Sequence, residues 1–266
     1  MNILIDGESS GLLPADDRGF LYGETVFETI AFKDREAPLW DLHMRRMRQS
    51  AAWLDLPMPS AQQWWRDCQR LVTDHGRFVL RLTLSAGSGG IGYWPAARAE
   101  PRRIVIRRDW PAGVPDQRES GLRLRLSTFS LPASDAGQGH KHGNRLLQVQ
   151  AARECALSGH DEAVLLDGQG RMVEAISSNL LLVRNGRLQT HPRPAVNGVG
   201  LRWLKAQPEI SITEEGLDQA ALSECSEVLV INSVAGIRPV IEIDQHSLPI
   251  GPMCRRLQSL WDSRLI

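Results

Sequence analysis

The stretch GQGHKHGNRLLQ, Gly137 to Gln148, sets a lysine between two histidines and two glycines, just ahead of an apolar pattern that reads as a helix. Lys141 is one of three lysines among 31 basic residues, in a chain that otherwise uses arginine for positive charge. Arginine keeps its proton in proteins, whereas lysine can become a neutral amine that acts as a base or forms an imine with an aldehyde. A lysine in a glycine-flanked turn is therefore a candidate for chemistry, the ordinary alternative being a solvated loop lysine.

Outward from that turn, the downstream sequence alternates short strand patterns with few helical ones: EAVLL, NLLLVR and EVLVIN are β-rich runs, and a helical pattern begins near Pro252. Many short strands with few helices predict a barrel-like domain. Upstream, TVFETIAF reads as strand and HMRRMRQSAAWL as helix, and Ser60 is a candidate N-cap for a second helix. Between the halves, DWPAGVPDQRESG holds two prolines and two glycines and reads as a linker. The expected fold is α+β with two domains: an N-terminal α/β domain over residues 1–108, a linker over 109–121, and a C-terminal pseudo-barrel domain over 122–266 that carries the lysine.

Composition limits the function classes. At 266 residues and 42% hydrophobic the chain can bury a large core, and zero formal net charge gives no general field for nucleic acid or an anionic membrane. The arginines between Arg102 and Arg125 make the middle locally basic and read as exposed faces of two strands. Four cysteines without a C-x-x-C pair suggest reduced thiols, hence a cytoplasmic protein with no zinc site. The start lacks a basic, then apolar, leader, and no apolar run approaches about 18 residues, so neither secretion nor membrane spanning is expected.

Among local motifs, GSGGIG satisfies G-x-G-x-x-G after a strand, but Pro95 and Pro101 leave no room for the helix a dinucleotide fingerprint needs, and a flexible loop is expected. His140 and His142 alternate without a suitable third ligand, so no metal site is expected. No G-x-S-x-G is present for serine hydrolysis. Two turns, VNGVG opening a helix and NSVAG following a strand, offer backbone N–H groups to an anion, and Arg46 adds a cation. With Lys141 to form an imine and Glu174 to pair with a pyridinium nitrogen, these are the groups that pyridoxal phosphate needs.

At this point the residues resemble the fold-type-IV pyridoxal-phosphate enzymes along nearly the whole chain. DDRGFLYGETVFET is similar to the family's D-R-x-x-x-(F/Y)-G-(D/E), and HMRRMRQSA to its H-x-x-R-L-x-x-S-A helix, which implies Arg46 as the phosphate arginine. KHGNRLLQV resembles K-H-x-N-R-L-x-Q-V of the lyase branch and implies Lys141 as the lysine that holds the cofactor. EAISSNLL implies Glu174 at the ring nitrogen with Ser177 beside it. NGVGLR and NSVAGIRPV imply phosphate contacts from the backbone of Val199, Gly200, Ser233 and Val234. Tyr22 and Arg145 are the candidate substrate contacts.

The resemblance further implies a homodimer that releases p-aminobenzoate and pyruvate from 4-amino-4-deoxychorismate, with an aminotransferase for D- or branched-chain amino acids as the alternative. Ala86 and Ile91 stand where the lyase loop has arginines, and Gly200 replaces the usual Thr or Met. The carboxylate contacts of the substrate are therefore left unassigned.

Overall fold

A computed structural model describes residues 2–9, 11–73, 75–132 and 137–265. The chain divides into two compact units, Met1–Trp110 with His140–Asn144, and Pro111–Gly139 with Arg145–Ile266.

The first unit contains β1 (Ile3–Ile5), α1 (Arg18–Tyr22), β2 (Thr25–Lys33), α2 (Trp40–Trp53), α3 (Ala61–Leu71), β3 (Arg77–Ser85) and β4 (Arg102–Asp109). Its antiparallel sheet has the order β1-β4-β3-β2. Side chains alternate across a strand, so Val26, Glu28, Ile30 and Phe32 of β2 and Phe78, Leu80, Leu82 and Leu84 of β3 are buried. Met44, Met47 and Ala51 of α2 and Trp64, Cys68 and Leu71 of α3 complete that core. Ser60, the expected N-cap, closes a capping box with Gln63.

β2 lies at the edge of the sheet, and the lysine turn extends it. The Phe27 N–H donates to the Lys141 carbonyl at 2.9 Å, the Gly143 N–H donates to the Thr25 carbonyl at 2.8 Å, and His142 bridges Val26 in antiparallel sense. The sequence reading put this turn in the C-terminal domain, but these bonds group His140–Asn144 with the first unit.

The second unit contains α4 (Val114–Ser120), β5 (Leu122–Ser130), α5 (Leu146–Ser158), β6 (Glu162–Leu166), β7 (Met172–Ala175), β8 (Asn179–Arg184), β9 (Arg187–Thr190), α6 (Val199–Lys205), β10 (Ile212–Glu214), β11 (Glu227–Asn232), β12 (Gly236–Ile243), β13 (His246–Ser247) and α7 (Pro252–Leu265), with a 3-10 turn at Gln219–Glu224. The strands β8-β11-β12-β5-β6-β7 run side by side, and β7 pairs back to β8 through Glu174 and Asn179. The sheet thus closes into the expected barrel. Its core includes Leu122, Leu124, Val164, Leu180, Leu182, Val228, Val230 and Val240, and complete burial of each such side chain is worth about 1.5–3 kcal/mol.

The expected linker is mostly structured: Asp109 ends β4, and α4 occupies Val114–Ser120. Pro115 falls in the first turn of α4, where a missing N–H breaks no helical bond, so a residue read as a breaker starts a helix.

The stitching of the lysine turn to β2 is testable at Gly143. A methyl group there would strike Thr25 Oγ1 and approach the Gly23 carbonyl to 3.0 Å. Gly143→Ala should lower stability in urea unfolding by about 1–3 kcal/mol; a wild-type midpoint would contradict the close packing of the turn on β2.

Candidate active site

In the first unit the alternation of β2 carries a carboxylate into the core, and α2 supplies its partners. His43 and Arg46 lie three residues apart on one helical face. Arg46 Nε donates to Glu28 Oε1 at 2.8 Å, its Nη2 pairs with Glu28 Oε2, and His43 Nδ1 lies 2.6 Å from Oε2. Burial pushes the Glu28 carboxyl up, but Arg46 and His43 outweigh it and bring the pKa down to about 2. Burial pushes His43 down despite Glu28, so the imidazole is neutral at pH 7. The fork to Glu28 fixes the plane of the Arg46 guanidinium. Glu28 does not stand out in the sequence as a site residue, because a strand pattern does not say which face a lone carboxylate takes; His43 belongs to the HMRRMRQSA motif, but the motif does not say what its ring contacts.

The Lys141 ammonium lies 4.4 Å from the centroid of the Phe27 ring, and the Arg81 guanidinium carbon lies 3.7 Å from the same centroid. The Phe27 ring therefore contacts both the lysine and a second cation, Arg81, that sequence reasoning missed. Tyr22, a candidate substrate contact, ends α1 and meets Tyr93 at 5.4 Å between ring centroids. Among the described residues no cluster of three His, Cys, Asp or Glu side chains suits a metal ion.

The GSGGIG loop next to Tyr22 has the polarity opposite to a phosphate cradle. Gly87, Gly89, Gly90 and Gly92 all have positive φ, and the loop turns carbonyls toward the guanidinium of Arg18. Arg18 donates to the carbonyls of Gly89 (3.3 Å), Gly92 (3.0 Å), Tyr93 (3.3 Å) and Trp94 (3.3 Å), and its Nε donates to Glu24 at 2.6 Å. A loop whose oxygens converge on a buried cation does not offer its N–H groups to a dinucleotide.

In the second unit Glu174 is the penultimate residue of β7, at the closure of the barrel. Its Oε2 accepts the Val196 N–H at 3.1 Å, and Asn179 Nδ2 donates to the Val196 carbonyl at 3.1 Å. Both backbone groups of Val196 are thereby pinned, and the turn leads through the N-cap Gly198 into α6. A Cβ on Gly200 would lie 3.1 Å from the Asn232 carbonyl carbon and from Ile231 Cγ1. Glycine at this altered motif position lets the start of α6 pack on the end of β11, which brings the VNGVG and NSVAG turns together. Val199 and Gly200 occupy the first turn of α6, where backbone N–H groups have no helical acceptor.

Two residues expected as cofactor contacts make hydrogen bonds within the protein. The Val234 N–H donates to Asn232 Oδ1 at 3.0 Å, alongside the Ala235 N–H at 2.7 Å, so it closes the turn from within. Ser177 gives both its N–H (2.6 Å) and its Oγ (2.9 Å) to Glu162 Oε1. Ser233 lies in the same turn as Val234, and Arg145 is the N-cap residue of α5, directly after the lysine turn.

Beneath the turn runs a buried relay absent from the sequence reading. Arg238 Nη2 contacts Glu162 Oε2 (3.3 Å) and Ser178 Oγ (2.9 Å), and Asn232 Nδ2 donates to the same Ser178 Oγ at 3.1 Å. A cavity of about 510 Å³ elsewhere in this unit is lined by Val183, Glu227, Met253 and Arg256 among others, and none of the expected site residues line it.

The Glu28 cluster sets a pH dependence. The folded-state pKa is depressed below 4.5 to about 2, so the stabilisation is complete above 4.5 and is lost as pH falls toward 2. Glu28→Gln, which removes the charge from the buried carboxylate that Arg46 forks onto, should cost about 3–5 kcal/mol at pH 7 and flatten the stability profile between pH 4.5 and 2. Chemical unfolding across that range checks both; parallel profiles for variant and wild type would contradict the assignment.

The sequence matches Amino-transferase class IV over residues 25–243. It is 28% identical to an aminodeoxychorismate lyase of Vibrio harveyi over 96% of this chain and 97% of that one. It is 30% identical to a putative branched-chain-amino-acid aminotransferase of Methanocaldococcus jannaschii, over 97% and 94%. The crystal structure of 4-amino-4-deoxychorismate lyase from Pseudomonas aeruginosa superposes with a TM-score of 0.90 at 32% identity, covering 98% of each chain. The chain therefore belongs to the class IV aminotransferase family, whose enzymes work with pyridoxal phosphate.

Proposed function

We propose that the protein is a carbon–oxygen lyase that converts 4-amino-4-deoxychorismate to p-aminobenzoate and pyruvate. The observation that carries this reading is the near-complete likeness to the Pseudomonas lyase, and the K-H-G-N-R-L lysine turn supports it.

The donor set fits pyridoxal phosphate. The first unit offers one amine, Lys141, and a guanidinium, Arg46, held in one plane by Glu28. The second offers the oriented carboxylate of Glu174 and two glycine-bearing turns packed together at Gly200. In this reading Lys141 carries the cofactor, Glu174 pairs with its ring nitrogen, and Arg46 with the N–H groups of Val199, Gly200 and Ser233 meets its phosphate. Val234 and Ser177 act one step back, Val234 by closing the turn on Asn232 and Ser177 by holding Glu162.

When bound, pyridoxal phosphate withdraws electrons from the substrate carbon that bears the amino group. Lys141 Nζ is the base that takes the proton from that carbon. Glu174 keeps a negative charge where a protonated ring nitrogen needs it. Arg81, against the same Phe27 ring as Lys141, is the cation we assign to a substrate carboxylate, in place of the arginines missing at Ala86 and Ile91. Tyr22 and Arg145 are retained as further substrate contacts.

The exposed Phe20, Ile91, Tyr93 and Trp94 of the first unit give apolar surface that supports a homodimer. Cysteines present as free thiols agree with a cytoplasmic enzyme, and among the described residues no helix is long and apolar enough to cross a membrane.

The direct test is incubation with 4-amino-4-deoxychorismate and measurement of both products. Equal release of p-aminobenzoate and pyruvate is expected, with Lys141→Ala slower by about 1,000-fold or more. Amino-group transfer from D-alanine or leucine to a 2-oxo acid, with no p-aminobenzoate formed, would assign the chain to the aminotransferases instead.

A further inference from the structure

The helix α2 carries two stripes. Met44, Met47 and Ala51 face the core, while His43, Arg46, Ser50 and Trp53 follow one another at spacings of three, four and three residues along another side. The first two members hold Glu28. The last two reach the lysine turn: Ser50 Oγ accepts the Lys141 N–H at 3.3 Å and lies 3.4 Å from His140 Nδ1. Trp53 stacks on His140 with ring centroids 5.0 Å apart and planes 6° from parallel, and it meets His142 at 5.7 Å and 50°.

These contacts determine which way Lys141 faces. The turn pairs with β2, and in an extended segment neighbouring side chains leave on opposite sides. His142 pairs with Val26, whose side chain belongs to the α2 side of the sheet. Lys141 pairs with Phe27, on the other side, where its ammonium meets the Phe27 ring. Backbone bonds to β2 hold the turn at the sheet edge, but the indole gripping both histidines keeps the turn from rolling about its own axis.

We propose that Trp53 and Ser50 are positioning residues for Lys141: α2 clamps the histidines on either side of the lysine and so aims its amine over Phe27. The inference rests on Lys141 as the cofactor-bearing residue but not on the identity of the substrate. Trp53 is 36% exposed, so shortening it opens no large cavity in the core.

The test uses cofactor-free protein mixed with pyridoxal phosphate, following the visible band of the lysine-bound cofactor and its titration with pH. Trp53→Ala should slow band formation by about 10-fold and move the titration midpoint by about one pH unit. Trp53→Phe, which keeps a ring against His140, should restore most of both, and Ser50→Ala should give a smaller shift in the same sense. Should Trp53→Ala not fold, His140→Ala removes the other half of the stack and is expected to behave alike. Band formation and titration unchanged from wild type in the folded variant would overturn the proposal, as would a loss that Trp53→Phe does not repair. Because no substrate is present, a failed lyase assay and a failed clamp are separate results.

Discussion

The backbone pairing between β2 and the lysine turn is the constraint on which the arrangement depends. Two hydrogen bonds, Phe27 to Lys141 and Gly143 to Thr25, join segments more than a hundred residues apart. They make the lysine an extension of a sheet edge, with its register set by strand geometry. The same strand carries Glu28 to one face and Phe27 to the other, so a single nine-residue element orders both the Arg46 cluster and the lysine's surroundings. An edge strand is ordinarily a hazard because its N–H and C=O groups are open to other chains. Here part of that edge is filled by the lysine turn.

The buried polar groups are best understood as devices for direction. Moving a carboxylate and a guanidinium out of water costs several kcal/mol per ion, and their attraction does little more than offset that cost. What the Glu28 cluster supplies is a fixed guanidinium plane on a rigid helix. The relay from Glu162 through Arg238 and Ser178 to Asn232 plays the matching part in the second unit, where Asn232 closes the turn by accepting the N–H groups of Val234 and Ala235. In each unit, taken by itself, a buried polar network fixes the direction of a few functional groups, the kind of order that preorganised binding requires.

Much of this was legible in the sequence, and the gaps have physical causes. The closed barrel followed from short β-rich runs, and the start of α6 from the glycines of VNGVG, because both are local signals. Lys141, Arg46 and Glu174 were reached through chemistry and motif order, and each sits where a local fold feature holds it. The membership of the lysine turn in the first unit was not legible, since pairing with an edge strand leaves no local mark. Pro115 misled because proline both breaks and begins helices. The GSGGIG loop was read as a loop and not as a dinucleotide cradle, but its carbonyls' convergence on Arg18 was not legible, because glycine spacing shows where a backbone can bend and not whether its N–H or its C=O groups point inward. The bonds from Val234 to Asn232 and from Ser177 to Glu162 were not legible, because which acceptor a turn's N–H finds is set by the fold around it.

With three lysines in the chain, the central claim reduces to which one bears the cofactor. Borohydride reduction of the pyridoxal-phosphate-loaded protein, followed by peptide mapping, fixes the answer covalently. The account predicts a single pyridoxyl label on Lys141, in the peptide spanning Gly137 to Arg145; a label on Lys33 or Lys205, or no label at all, would contradict it.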